Sequence, residues 1–88
     1  MKQLIHAFTA HVLDGSGKRF LAAAYGAQRT DGTWTGWLEF APSAGDGPVF
    51  STHNETSQPN RAALEYWASG LEPIYLDGAF ARARGILP

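Results

Sequence analysis

The chain of 88 residues is 44% hydrophobic, 12% aromatic and 17% charged, has no cysteine and carries a formal net charge of −1. A chain of this length forms one domain around one core, its aromatic content excludes intrinsic disorder, and without cysteine it has neither a disulfide nor a thiolate-held metal. Seven basic residues against eight acidic ones give no positive field of the kind that general polyanion binders use.

The first residues, MKQLIHAFTAHVLDG, mix polar and apolar positions where a secretory leader needs an unbroken apolar stretch. The longest apolar run, from Phe20 to Ala27, falls far short of the ~20 residues that span a bilayer. The expectation is a soluble, cytoplasmic chain without membrane contact.

Residues 4–13 form the first predicted strand, with Leu4, His6, Phe8, Ala10 and Val12 on one parity. Asp14-Gly15-Ser16-Gly17 predicts a tight turn, since glycine accepts positive φ and aspartate bonds its own downstream backbone. The run Gly15-Ser16-Gly17-Lys18 resembles the end of a phosphate-binding loop, yet Val12 and Arg19 stand where that motif needs a glycine and a Ser or Thr. A turn is the better reading. Residues 19–29 are ambiguous, because Phe20 and Tyr25 favour a strand and the alanines a helix; their place after a short turn selects a strand.

Asp31-Gly32 is the strongest hairpin signal in the chain. Residues 34–41 are the clearest strand, with Trp34, Leu38 and Phe40 on one face and Thr35, Trp37, Glu39 and Ala41 on the other. A loop, PSAGDGP, leads to a fourth short strand at 49–53. From Asn54 onward the spacing becomes helical. The first predicted helix covers 59–69, with Pro59 in its first turn, an apolar stripe of Ala63, Leu64, Trp67 and Leu71, and Gly70 ending it in the left-handed conformation with Leu71 folded back. The second covers 73–84, with Pro73 at its start, Leu76, Ala79, Phe80, Ala83 and Leu87 on one side, and Gly85 beyond its end. Gly78 weakens its middle.

Four strands followed by two helices predict an α+β domain spanning residues 1–88: a four-stranded antiparallel meander with both helices packed on one face. Phe8, Trp34, Leu38, Phe40, Trp67 and Phe80 then share one core, and Trp37 is left on the second face, which is solvated or meets a partner. A tryptophan on a polar face is a candidate binding anchor; the competing reading has it covered by a loop or the C-terminal tail.

The second candidate is the segment from Thr52 to Arg61, where His53, Glu55, Asn60 and Arg61 lie between a strand end and a helix start. Backbone N–H groups at such a place suit an anion or small polar ligand, although Thr56, Ser57 and Asn60 serve equally as helix caps. His53 and Glu55 share strand parity, so an acid/base pair is conceivable, without a nucleophile or a defined substrate pocket. His6 and His11 fall on opposite strand faces, which argues against a three-histidine metal site. No cofactor is expected.

The segments DGTWTGWLEFAP, THNETSQPNR and YWASGLEPIYLDGAFARA resemble a group of small single-domain bacterial proteins of unassigned function. The likeness covers roughly residues 28 to 84. It implies a compact, stand-alone bacterial protein and transfers no active site. The leading expectation is a non-enzymatic protein-interaction module or homodimer that uses Trp37 and Glu39 on the sheet, or the 52–61 loop. The alternatives are a single-stranded nucleic-acid binder, with Trp37 stacking on a base and Lys18, Arg19 and Arg29 on phosphates, and a small enzyme using His53 and Glu55.

Overall fold

Both turn signals close hairpins. In the computed structural model, which describes residues 1–86, β1 (Gln3–Leu13), β2 (Arg19–Gln28) and β3 (Trp34–Pro42) form an antiparallel meander. The ambiguous second segment is a strand. Asp14 Oδ1 accepts from the backbone N–H groups of Ser16 and Lys18 at 2.9 Å and from the Ser16 hydroxyl at 2.7 Å, while Gly17 takes φ of 86°. The N–H groups that a phosphate loop would offer to an anion are thus given to the chain's own carboxylate. Asp31 holds the second turn likewise, through the Thr33 N–H at 2.9 Å and hydroxyl at 2.6 Å, with Gly32 at φ 90°.

The outer edge of β3 is shared by two short strands. β4 (Phe50–Ser51) pairs with Glu39 and Phe40, and β5 (Thr56–Gln58) pairs with Trp34 to Gly36. Between them the chain bends at His53, so the strand expected over 49–53 is only two residues long, and Thr56 and Ser57, expected as caps or turn formers, begin a fifth strand. The reason is hydrogen-bond accounting: β4 leaves the first half of β3 without partners, and buried backbone groups must be paired. Thr52 bridges the gap. Its N–H donates to the Leu38 carbonyl at 2.9 Å, and its hydroxyl accepts from the Leu38 N–H at 3.0 Å.

Helices α1 (Arg61–Ser69) and α2 (Pro73–Ala83) cover one face. α1 starts two residues later than expected, because Asn60 is the cap and its Oδ1 accepts from the Ala63 N–H at 2.8 Å; Pro59 lies outside the helix. Gly70 is right-handed, with φ of −89°, and its N–H bonds back to the helix carbonyls, so the expected left-handed stop is absent there. Gly85, at φ 77°, does end the second helix. Leu87, assigned to the apolar side of that helix, lies outside the described residues.

The core joins Val12, Phe20, Ala22, Ala24, Leu38 and Phe40 of the sheet to Ala68, Leu76, Ala79 and Phe80 of the helices, with Phe8 and Trp67 packed against it. Phe80 lies within aromatic contact distance of Phe20, Phe40 and Phe50. α1 approaches the sheet at a glycine pair. Gly26 and Gly36 are cross-strand partners, and a Cβ added to either would lie 2.5 Å from a Leu64 methyl. The absence of two side chains is therefore what seats Leu64, which is fully buried.

β1 departs from simple alternation. Its register with β2 slips between Leu4 and His6 and again between Ala7 and His11, as β-bulges do when they insert residues opposite a shorter partner segment. The first slip sends Leu4 to the far face opposite Tyr25, where it is 52% exposed, and Ile5 packs against the core instead. Leu4 therefore does not share the buried face of Val12 as its parity predicts. His6 and His11 stay on opposite faces, paired with Ala24 and Leu21.

Candidate interaction surface

With the even-numbered residues of β2 and β3 under the helices, the odd-numbered ones form a second face that neither helix covers. Trp37 stands on it, directly opposite Tyr25, and both are half-buried. The Trp37 indole N–H donates to Glu39 Oε2 at 3.0 Å, and Lys2 Nζ reaches both Glu39 carboxylate oxygens at 3.0 Å while lying 4.5 Å from the Tyr25 ring centroid. Lys2, Tyr25, Trp37 and Glu39 thus form one connected group, with a polar tip on each aromatic and apolar ring surface beside it. Ala23, Ala27 and Ala41 leave the rings standing above low neighbours. The described C-terminal residues turn back toward α2, where the Ile86 N–H bonds to the Ala81 carbonyl at 2.9 Å.

The residues of the 52–61 segment are engaged within the fold. Glu55, whose side chain is 7% exposed, receives both Arg82 guanidinium nitrogens, at 2.7 and 2.8 Å, and the Tyr75 hydroxyl at 2.6 Å. The Arg82 hydrogen bonds hold its carboxyl below the usual carboxylate range, against the opposing effect of burial. Burial, with the bond to Glu55, raises the Tyr75 phenol. This cluster fastens α2 to the turn between β4 and β5. Arg82 stands in the last turn of α2, where a cation suits the helix dipole, and its partner, 27 residues away, is beyond the reach of local spacing.

His53 is exposed and forms no hydrogen bond to Glu55, both of whose oxygens are occupied. The acid/base pair that strand parity allows is not formed, because the chain bends at His53 and strand parity does not run through it. Asn60 is the α1 cap. Arg61 donates to Gln3 Oε1 at 2.6 Å and the Leu4 carbonyl at 3.3 Å, lies 5.7 Å from the Trp34 ring and pairs with Glu65 at 3.5 Å. It ties α1 to the first strand. Lys18 lies 5.6 Å from the Phe20 ring on the helix side, and Arg29 donates to the Ser57 hydroxyl at 3.3 Å.

One further concavity was not foreseen. A groove of about 370 Å³ runs along the free edge of β1, lined by His6, Phe8, Leu71, Pro73 and Leu76 among others. It lies at the second register slip of β1, beside the connection between α1 and α2. Among the described residues no cluster of three or more histidine, aspartate or glutamate side chains is placed to hold a metal ion, and no helix is long and apolar enough to cross a membrane. No family model, no curated protein and no solved structure matches the chain.

Proposed function

We propose that the chain is a non-enzymatic protein-interaction module whose docking surface is the sheet face around Trp37. The observation that carries this reading is the Tyr25–Trp37 cross-strand pair, half-buried on the face opposite both helices. Aromatic residues with a polar tip dominate binding hot spots because they bury large apolar area with little loss of side-chain freedom. Glu39 and Lys2 flank the pair with opposite charges, which favours a partner of mixed polarity over a uniformly charged one.

The 52–61 segment is the weaker site, since Glu55, Asn60 and Arg61 are each engaged by the fold. Nucleic-acid binding at the same face has less support, because Lys2, the cation beside the rings, is already paired with Glu39 and phosphate binding relies on free positive charge. The test is a paired affinity capture from native extract with the wild-type chain and Trp37→Ala, each first checked by circular dichroism. Proteins held by the wild type and released by a folded Trp37→Ala variant support the proposal. The same set held by both, or a variant that does not fold, overturns it.

A further inference from the structure

We infer that β1 is a self-association edge, along which a second copy of this chain pairs antiparallel to give one continuous sheet across both copies. The inference concerns the β1 edge of the sheet, which borders the Trp37 face at Leu4 and Tyr25, and does not depend on that face binding a partner.

Sheet edges are normally protected by charged side chains, proline, shortness or bulges, and of these β1 has only the two bulges. β1 has 11 residues, and from Leu4 to Leu13 it contains no lysine, arginine, aspartate, glutamate or proline. Its two exposed leucines, Leu4 at 52% and Leu13 at 58%, both face the side away from the helices, where they pair with Tyr25 and Arg19. They lie near opposite ends of the strand. A two-fold axis at Thr9, perpendicular to the sheet, sets Leu4 against the second copy's Leu13, and each Leu13 against the other copy's Leu4.

The first bulge then fits the register. Two residues on a bulged strand oppose one on its neighbour, so Ile5 and His6 stand opposite Val12 of the second copy on the helix side, and Ala7 stands opposite His11 on the open side. Outside the second slip at residues 8–10 the pairs then match in face, although the strand alone lacks simple alternation. Arg61 already engages the Leu4 carbonyl, so the new ladder begins at the bulge.

The groove of each copy, lined by residues 6–10 of β1, is centred close to the same axis. Pairing brings the two grooves face to face, so Phe8, Leu71 and Pro73 of one copy meet the same residues of the other, as an isologous interface requires. A strand of this length extends about 36 Å, and with the adjoining helix layer it buries roughly 1,000 Å² in total, the minimum for a biological interface and within the range of weak, reversible ones. The expected assembly is a dimer that dissociates in the micromolar range.

Sedimentation velocity on the full chain from about 1 to 300 μM, a range that brackets micromolar dissociation, reads this directly. The wild type is expected to shift from monomer to dimer. Leu4→Lys/Leu13→Lys, which alters only exposed positions and is checked by circular dichroism, is expected to weaken the dimer at least about tenfold through like-charge contact. Mixing it with Leu4→Glu/Leu13→Glu is expected to restore a dimer of one copy of each. Trp37→Ala is expected to leave the wild-type dimer unchanged. A wild type that stays monomeric overturns the inference, as does a lysine variant that dimerises normally or that the glutamate variant fails to rescue. Loss of the dimer in Trp37→Ala alone also overturns it and assigns self-association to the other face.

Discussion

Replacing Gly36 with alanine adds one methyl group where Leu64 already sits. The new carbon would lie 2.5 Å from Leu64 Cδ1 and 3.1 Å from Thr56 Cγ2, whereas carbon pairs rest at about 3.5 to 4.0 Å. Leu64 must therefore retreat by about 1 Å and lift α1 from the sheet. Overpacking of this kind costs about 2 kcal/mol. Truncating Leu64 itself, fully buried, should cost about 3 kcal/mol. Combined, the two changes should cost much less than their sum, since the alanine methyl enters the space Leu64 leaves and a glycine in a strand already costs about 0.5 to 1 kcal/mol. Gly36→Ala in the Leu64→Ala background should thus be close to neutral, a coupling of about 2 kcal/mol. Urea unfolding of the four proteins, followed by circular dichroism, measures it. If Gly36→Ala costs the same in both backgrounds within about 0.5 kcal/mol, the ordinary limit of additivity, the glycine pair does not set the helix–sheet distance and the reasoning fails. Gly26 is a poorer probe because a Cβ there also meets the Thr35 carbonyl at 3.0 Å, which cannot move aside.

Glu55→Gln should lower stability at pH 7 by about 2 kcal/mol, because the Arg82 guanidinium loses a charged partner in a partly buried place; chemical denaturation at fixed pH reads this. The pH dependence has a definite sign. The folded Glu55 carboxyl titrates below its ordinary value of 4.5, so its contribution is complete above that value and is lost as pH falls through the folded pKa. The folded Tyr75 phenol titrates above 10.0, so its contribution is complete below that value and is lost as pH rises through the folded pKa. Denaturation midpoints across pH should fall at both ends, and Glu55→Gln should flatten the acid side; an unchanged acid limb would contradict the assignment. Gly78→Ala should raise stability by about 0.5 to 1 kcal/mol, since helix propensity favours it and a Cβ there meets nothing within 4 Å. A lower melting temperature would count against that open space.

Local chemistry explains which parts of this structure can be read from sequence. Asp14, Asp31 and the glycines that follow them act within four residues, so both hairpins are visible, and the alternation of Trp34 to Ala41 places Trp37 on the second face without reference to any other segment. Pro73 and Gly85 likewise mark the second helix by effects within one turn. What escapes is decided at a distance. Thr56 and Ser57 are cap or turn formers by type and join a strand because Trp34 to Gly36 otherwise lack a partner on that side. Glu55 has the same composition whether it faces solvent or Arg82. Leu4 loses its inward place to a bulge that depends on the register with β2, and Gly70 stays right-handed although its residue type permits the alternative.

The two edges of the sheet are unequal. On the outer side of β3, the edge is two residues of β4 and three of β5, spliced by a threonine hydroxyl that takes the place of a backbone acceptor. A break of that kind offers no continuous row of donors and acceptors to another chain. Only β1 does. A molecule with two equivalent edges can add copies without limit, whereas one with a single usable edge, matched to itself by a two-fold axis, consumes that edge in the first pairing. In the assembly inferred above, the Thr52 splice limits growth: a sheet that pairs with a second copy through β1 leaves no comparable edge for a third.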